Sequence, residues 1–126
     1  RDAGNRSKVA VYSENPNIDP IGACIGEKGR RIARIIEELH GEKIDVVRYD
    51  KDPAIFIENA LAPAKDLTVA ITDPKKQEAM VIADGDNFSL AIGKKGQNAR
   101  LASKLTHYKI DIKTTEQARE AGINFR

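Results

Sequence analysis

Two glycine pairs, each enclosing two charged residues, are where this chain has the means to do chemistry. Gly26-Glu27-Lys28-Gly29 and Gly93-Lys94-Lys95-Gly96 each follow an isoleucine, Ile25 and Ile92. Glycine at both ends of such a turn permits positive φ and removes the Cβ that would hold a partner away. A helix opening directly afterwards offers unpaired N–H groups and the positive end of its dipole, which suits a phosphate. Lys94 and Lys95 add mobile cations, and Ile25 and Ile92 are placed to form an apolar wall for a base. The chemistry indicated is capture of a phosphodiester backbone.

Other reactive residue types point nowhere else. His40 and His107 fall near the C-terminal ends of matching helices, where a cation favours the dipole, and that reading outweighs catalysis. Cys24 is the only cysteine. It excludes an internal disulfide, fits a reducing, cytoplasmic setting, and reads as a small buried residue on a short helix. Four metal ligands cannot be assembled at familiar spacing, so neither metal nor cofactor is expected. Gly22-x-x-x-Gly26-Glu27-Lys28 superficially resembles a P-loop. It is one residue short, no Ser or Thr follows the lysine, and no strand directly precedes it. A phosphate-handling enzyme, such as a nucleotide hydrolase, is therefore the weaker alternative, and no small-molecule substrate is expected.

The glycine turns belong to an internal repeat. Ile25–Gly29 matches Ile92–Gly96 at an offset of 67, and Lys43-Ile44-Asp45-Val46 matches Lys109-Ile110-Asp111-Ile112 at 66. Ala33-Arg34 with Ala99-Arg100, and Leu39 with Leu105, also follow the shorter offset, which places a dropped residue just past the turn. Such a period suits a duplicated small domain.

Each copy reads as strand, helix, glycine turn, helix, strand. In the first, Lys8–Tyr12 is strand-like, Asn15-Pro16-Asn17 breaks it, and Asp19-Pro20 supplies an N-cap with proline at the first helical position. The spacing of Ile32, Ile35, Ile36 and Leu39 predicts a helix over Arg30–His40 capped by Gly41, then a strand from Ile44. Asp52-Pro53 opens a further helix, Ala54–Leu61. Strands follow at Leu67–Thr72 and Glu78–Ala83, joined by a turn at Asp73–Lys76. The second copy continues with a short helix from about Asp86 to Gly93, a helix over Gln97–Thr106 buried through Ala99, Ala102 and Leu105, and a strand over Lys109–Lys113. Thr114-x-x-Gln117 is a capping box for a last helix ending at Gly122. Helices on one face of a small sheet place the chain in the α+β class.

The net charge of +2 is too small to argue for nucleic acid, but its distribution is uneven. Lys28, Arg30, Arg31 and Arg34 cluster against the single anion Glu27, whereas Lys94, Lys95, Arg100 and Lys104 meet none. No apolar run approaches the length needed to span a bilayer, and no signal peptide opens the chain. The absence of an initiator methionine is expected of a piece cut from a longer protein.

Strand, short helix, GxxG, helix and strand together resemble the KH domain, whose GxxG loop clamps single-stranded nucleic acid. The element order of the second copy resembles the type II, prokaryotic KH topology. Ala91–Ser103, Ile21–Gly29 and Glu58-Asn59-Ala60-Leu61-Ala62-Pro63-Ala64 narrow the match to the tandem KH region of the bacterial NusA family, over nearly the whole chain. The resemblance implies two type II KH units, the first truncated at its N-terminus, over 1–51 and 52–126. It implies a non-enzymatic module of a factor acting in transcription elongation, termination and antitermination. The expected partners are nascent single-stranded RNA and, through the full-length protein, RNA polymerase and other transcription factors.

The RNA-binding residues expected are Ile25, Gly26, Lys28, Gly29, Arg30, Arg31 and Arg34 in the first unit. In the second they are Ile92, Gly93, Lys94, Lys95, Gly96, Gln97, Asn98 and Arg100, with Lys109, Ile110, Asp111 and Ile112 flanking the groove. Gln97 and Asn98 are expected to hydrogen-bond sugar or phosphate. Glu27 is unfavourable beside phosphate, so the first loop is expected to bind less strongly. With only Tyr12, Tyr49, Tyr108, Phe56, Phe88 and Phe125 in the chain, neither groove has an aromatic platform, and base stacking is expected to contribute little. A KH fold that has lost RNA and serves protein interaction is a second alternative, and a ribosomal type II KH protein a third.

Overall fold

The computed structural model describes residues 1–15, 17–26 and 29–122. Pro16, within the expected break, and Glu27, Lys28 and Phe125 lie outside them. The first copy opens with β1 (Arg6–Val11), α1 (Pro20–Ile25), α2 (Arg30–Glu38) and β2 (Lys43–Arg48). β1 and β2 pair in parallel, Arg6 opposite Lys43 through Val11 opposite Arg48. After α3 (Pro53–Ala60) come β3 (Thr68–Asp73), β4 (Glu78–Ile82), α4 (Gly85–Ile92), α5 (Gln97–Thr106), β5 (Lys109–Lys113) and α6 (Thr115–Glu120). Their sheet runs β3-β4-β5, antiparallel then parallel.

Local chemistry sets most of these boundaries. The Asp19 and Asp52 carboxylates accept the N–H groups of Ile21 and Ala54, with Pro20 and Pro53 next in line, so α1 and α3 start where a cap and a proline coincide. Thr114 and Gln117 form the expected reciprocal capping box of α6. α2 stops earlier than its apolar spacing predicts. Leu39, not Gly41, is its C-cap, because His40 already turns left-handed at φ 57° and Gly41 follows at 86°.

His107 is left-handed too, at φ 61°, and caps α5. His40 and His107 therefore keep the offset of 67, and the residue lost between copies falls in the helix–strand turn, not just past the glycine turn. Arg100 consequently corresponds to Ala33, and Arg34 to the buried Leu101.

The dense core lies between α3, α5 and the three-stranded sheet: Ile57, Ala60, Leu61, Ala79, Val81 and Ala102, flanked by Val69, Ile71, Leu105, Ile110 and Ile112. Each fully buried Ile or Leu contributes about 1.5–3 kcal/mol. On the other face Met80 and Ile82 pack on Ala118 of α6. The first copy is thinner. Neither α1 nor α2 buries a residue fully, and Ile35 stays 36% exposed. Cys24 is half-buried, less enclosed than expected.

Polar contacts join the copies. Lys8 Nζ, almost wholly enclosed, donates to Asp45 Oδ2 at 2.8 Å and to the Ala62 carbonyl at 3.0 Å. Burial pushes the Lys8 amine below its ordinary pKa, against the pull of Asp45. Asp45 is pushed up by burial, but Lys8 and Arg6 outweigh that and hold it below the usual range. Glu42, fully buried, accepts from Arg1 Nε at 3.1 Å and Gly4 N–H at 2.9 Å, and these bonds hold its carboxyl at about 2.

Candidate nucleic-acid interface

The glycines that flank the two turns adopt matching backbones. Gly26 and Gly93 sit at φ/ψ 78°/176° and 77°/171°, while Gly29 and Gly96 sit at 73°/13° and 74°/11°. Each turn is closed by the same bonds. The first glycine N–H caps the short helix, on Gly22 O at 2.9 Å or Ser89 O at 2.8 Å. The last glycine N–H returns to the first glycine carbonyl, at 3.2 Å in one copy and 3.1 Å in the other. Lys95 is itself left-handed at φ 56°.

The two glycines of each turn are needed for different reasons. Gly26 and Gly93 lie in a region of φ/ψ open essentially to glycine alone. A Cβ at Gly26 would meet Arg31 Cβ at 2.7 Å, and one at Gly93 would meet Asn98 Cβ at 2.7 Å and Asn98 N at 2.8 Å. Gly29 and Gly96 take left-handed conformations at the helix N-cap, with open space or only the Ile32 methyl at 4.0 Å where a Cβ would stand. The first glycine is required by helix packing, and the second leaves the turn accessible.

Around the first turn, Gly26, Arg30, Arg31 and Arg34 line one cleft of about 250 Å³. Around the second, Lys94, Lys95, Gln97 and Arg100 line a cleft of about 340 Å³ together with Asp2 and Asn5 from the first copy. Among the described residues none of these six arginines and lysines forms an ion pair, and cations outnumber carboxylates in both clefts, Asp2 being the one acid that lines the second. Arg100 Nη1 reaches back to the Lys95 carbonyl at 3.3 Å. Ile25 and Ile92 are half-buried beside their turns.

One sequence-based expectation requires correction. Asn98 does not face solvent: it is fully buried, and its Nδ2 lies within 3.1 Å of the Leu61, Leu90 and Ala91 carbonyls. It holds the turn against α3 and α4, and its side chain is out of a ligand's reach. The Gln97 amide is engaged, donating to Asp2 Oδ2 at 2.8 Å. Lys109, Ile110 and Asp111 line a different cleft, with Thr72, Glu78, Ala79 and Met80, and share no lining residue with the glycine-turn cleft. Ile110 and Ile112 pack on the helix-facing core, leaving the outer backbone edge of β5 to meet a partner. Lys28 lies outside the described residues.

Asp2 and Asn5 were not foreseen. No local pattern marks them, because their proximity to the second turn depends on how the copies pack.

Comparison with known proteins agrees with this architecture. Residues 1–49 match the model of the NusA-like first KH domain, and residues 53–120 that of the NusA-like second KH domain. The transcription termination/antitermination protein NusA of Halalkalibacterium halodurans is 51% identical over 98% of this chain, which covers 32% of that protein. NusA of Thermus thermophilus is 53% identical over 92% of the chain, covering 30% of the relative. The crystal structure of APE1850 superposes with a TM-score of 0.58 at 32% identity, over 86% of this chain and 79% of that one. The chain thus spans about a third of the length of the curated relatives it matches. Among the described residues no helix is long and apolar enough to cross a membrane. With the flanking glycines alike in both units and both domain models matched in order, the chain belongs to the NusA-like family of tandem KH domains.

Proposed function

We propose that this chain binds single-stranded RNA through both GxxG turns, as the RNA-holding part of a transcription termination/antitermination factor. The observation that carries the reading is the coincidence of backbone geometry at the glycines flanking the two turns, each beside a cleft whose arginines and lysines form no ion pair among the described residues. In the first unit, divided from the second after residue 51, Gly26 and Gly29 shape the clamp and Ile25 forms its apolar wall. Arg30, Arg31, Arg34 and Lys28 supply charge. In the second, Gly93 and Gly96 shape the clamp, Ile92 forms the wall, and Lys94, Lys95 and Arg100 meet phosphates. Gln97 contributes from the rim once released from Asp2. The β5 edge offers main-chain groups from Lys109, Ile110, Asp111 and Ile112 to base edges.

The module positions RNA and catalyses no reaction, needs no cofactor, and takes no small-molecule substrate. RNA polymerase and other transcription factors engage the longer protein of which such a pair is part. The setting is the cytoplasm, in keeping with relatives named for transcription termination and antitermination.

The test is titration of labelled single-stranded RNA at several salt concentrations. Wild type binds with a log–log salt slope of about −0.7 per phosphate contacted. Lys94→Asp/Lys95→Asp abolishes binding while leaving the fold intact. Equal affinity in both proteins discards the reading in favour of a protein-interaction module.

A further inference from the structure

β1 and β2 are parallel, so the residues that leave them emerge side by side, with Tyr49 N–H on the Val11 carbonyl at 2.9 Å. Tyr12 and Tyr49 therefore meet, ring centroids 5.6 Å apart and tilted by 54°, and Tyr49 continues onto Phe56 of α3 at 5.1 Å and 67°. The cluster is not closed over. Tyr12 is 66% exposed and Tyr49 42%. They line an open cleft of about 650 Å³ with Ser13, Glu14, Asp50 and Lys51.

The charge of this cleft is opposite to that of the glycine-turn clefts. Two carboxylates stand against one amine, and the Asp50 carboxylate is engaged among the described residues only by the Asp52 N–H, at 2.8 Å. A phosphodiester would be repelled here. A guanidinium or ammonium would gain twice, from the carboxylates and from the faces of the tyrosine rings.

We propose that the Tyr12–Tyr49 cleft is a docking site for an arginine-bearing segment of a protein partner, separate from the RNA-binding turns. Arginine fits better than lysine because its planar guanidinium stacks on a ring while donating to carboxylates at its edge. RNA and a basic partner then occupy surfaces of opposite sign on one small module and do not compete.

The probe is the peptide acetyl-Gly-Arg-Gly-Arg-Gly-amide, titrated into the ¹⁵N-labelled chain beside its citrulline counterpart, which keeps the shape and removes the charge. Saturable shifts are expected at Tyr12, Glu14, Tyr49 and Asp50, with the citrulline peptide at least about fivefold weaker. Tyr12→Ala and Glu14→Gln, both at exposed positions, each weaken the arginine peptide about two- to fivefold and leave RNA affinity unchanged. Absence of saturable shifts at these four residues overturns the proposal. So does their movement on adding an oligouridylate, which assigns the cleft to nucleic acid. Concentration-dependent self-association removed by Tyr12→Ala overturns it in favour of a second copy. None of these outcomes bears on the Lys94/Lys95 titration, which judges the RNA reading alone.

Discussion

Arg31 and Asn98 occupy the same place in the two units and bond the same backbone group. Arg31 Nη1 donates to the Ala23 carbonyl at 2.8 Å, and Asn98 Nδ2 donates to the equivalent Leu90 carbonyl at 3.1 Å. Each lies directly under the first glycine of its turn, its Cβ 2.7 Å from where a glycine Cβ would stand. One latch is long, charged and exposed, the other short, neutral and buried. Arg31 can leave its carbonyl for a phosphate at little cost, whereas Asn98 cannot leave without stranding buried acceptors.

Asn98→Ala is therefore expected to destabilise the chain by about 1–3 kcal/mol in urea unfolding. Asn98→Asp should cost more, since it sets a carboxylate against the Leu61, Leu90 and Ala91 carbonyls. Arg31→Ala should change stability by less than either and act mainly on RNA affinity.

The glycines of one turn should respond unequally. Gly93→Ala drives a methyl onto Asn98 backbone and side chain in a conformation reserved for glycine, so loss of several kcal/mol is expected. Gly96→Ala meets open space and bears only the left-handed penalty of about 1–2 kcal/mol. Equal losses in thermal or urea unfolding would contradict the separate roles given to the two positions.

Charge removal at the second turn should be read in salt. Lys94→Ala/Lys95→Ala is expected to flatten the dependence of log affinity on log salt by about 1.4, two phosphates' worth. Arg34→Ala should flatten it by about half as much, through the other cleft.

Acid should weaken the first unit through Glu42. Its folded value of about 2 lies below the ordinary 4.5, so between these values the unfolded chain binds more protons and stability rises with pH. The contribution is full above pH 4.5 and disappears as the pH falls towards 2. Asp45 and Asp84, also held below their ordinary values, act in the same direction. Glu42→Gln should be less stable at neutral pH and should unfold with a shallower pH dependence across that window, measured by circular dichroism.

Local sequence sets most element starts and the glycines that flank both turns. Aspartate–proline caps, the Thr114–Gln117 box and the Gly-x-x-Gly spacing act within a few residues of themselves, so their consequences need no knowledge of the rest of the chain. α5 and β5 run over the residues their periodicity predicted, Gln97–Thr106 and Lys109–Lys113. Tertiary structure decided which polar side chains remain available. Gln97 and Asn98 are adjacent, polar and at a helix start, and nothing local separates them. One is clasped by Asp2 from the far end of the chain and the other sinks among three carbonyls, because α5 is pressed between α3, α4 and the first copy. The same packing brought Asp2 and Asn5 to the second turn, while the parallel pairing of β1 and β2 set Tyr12 beside Tyr49, which meets Phe56 in turn. Contacts between residues far apart in the chain are set by how apolar faces stack, and no short-range pattern encodes that geometry.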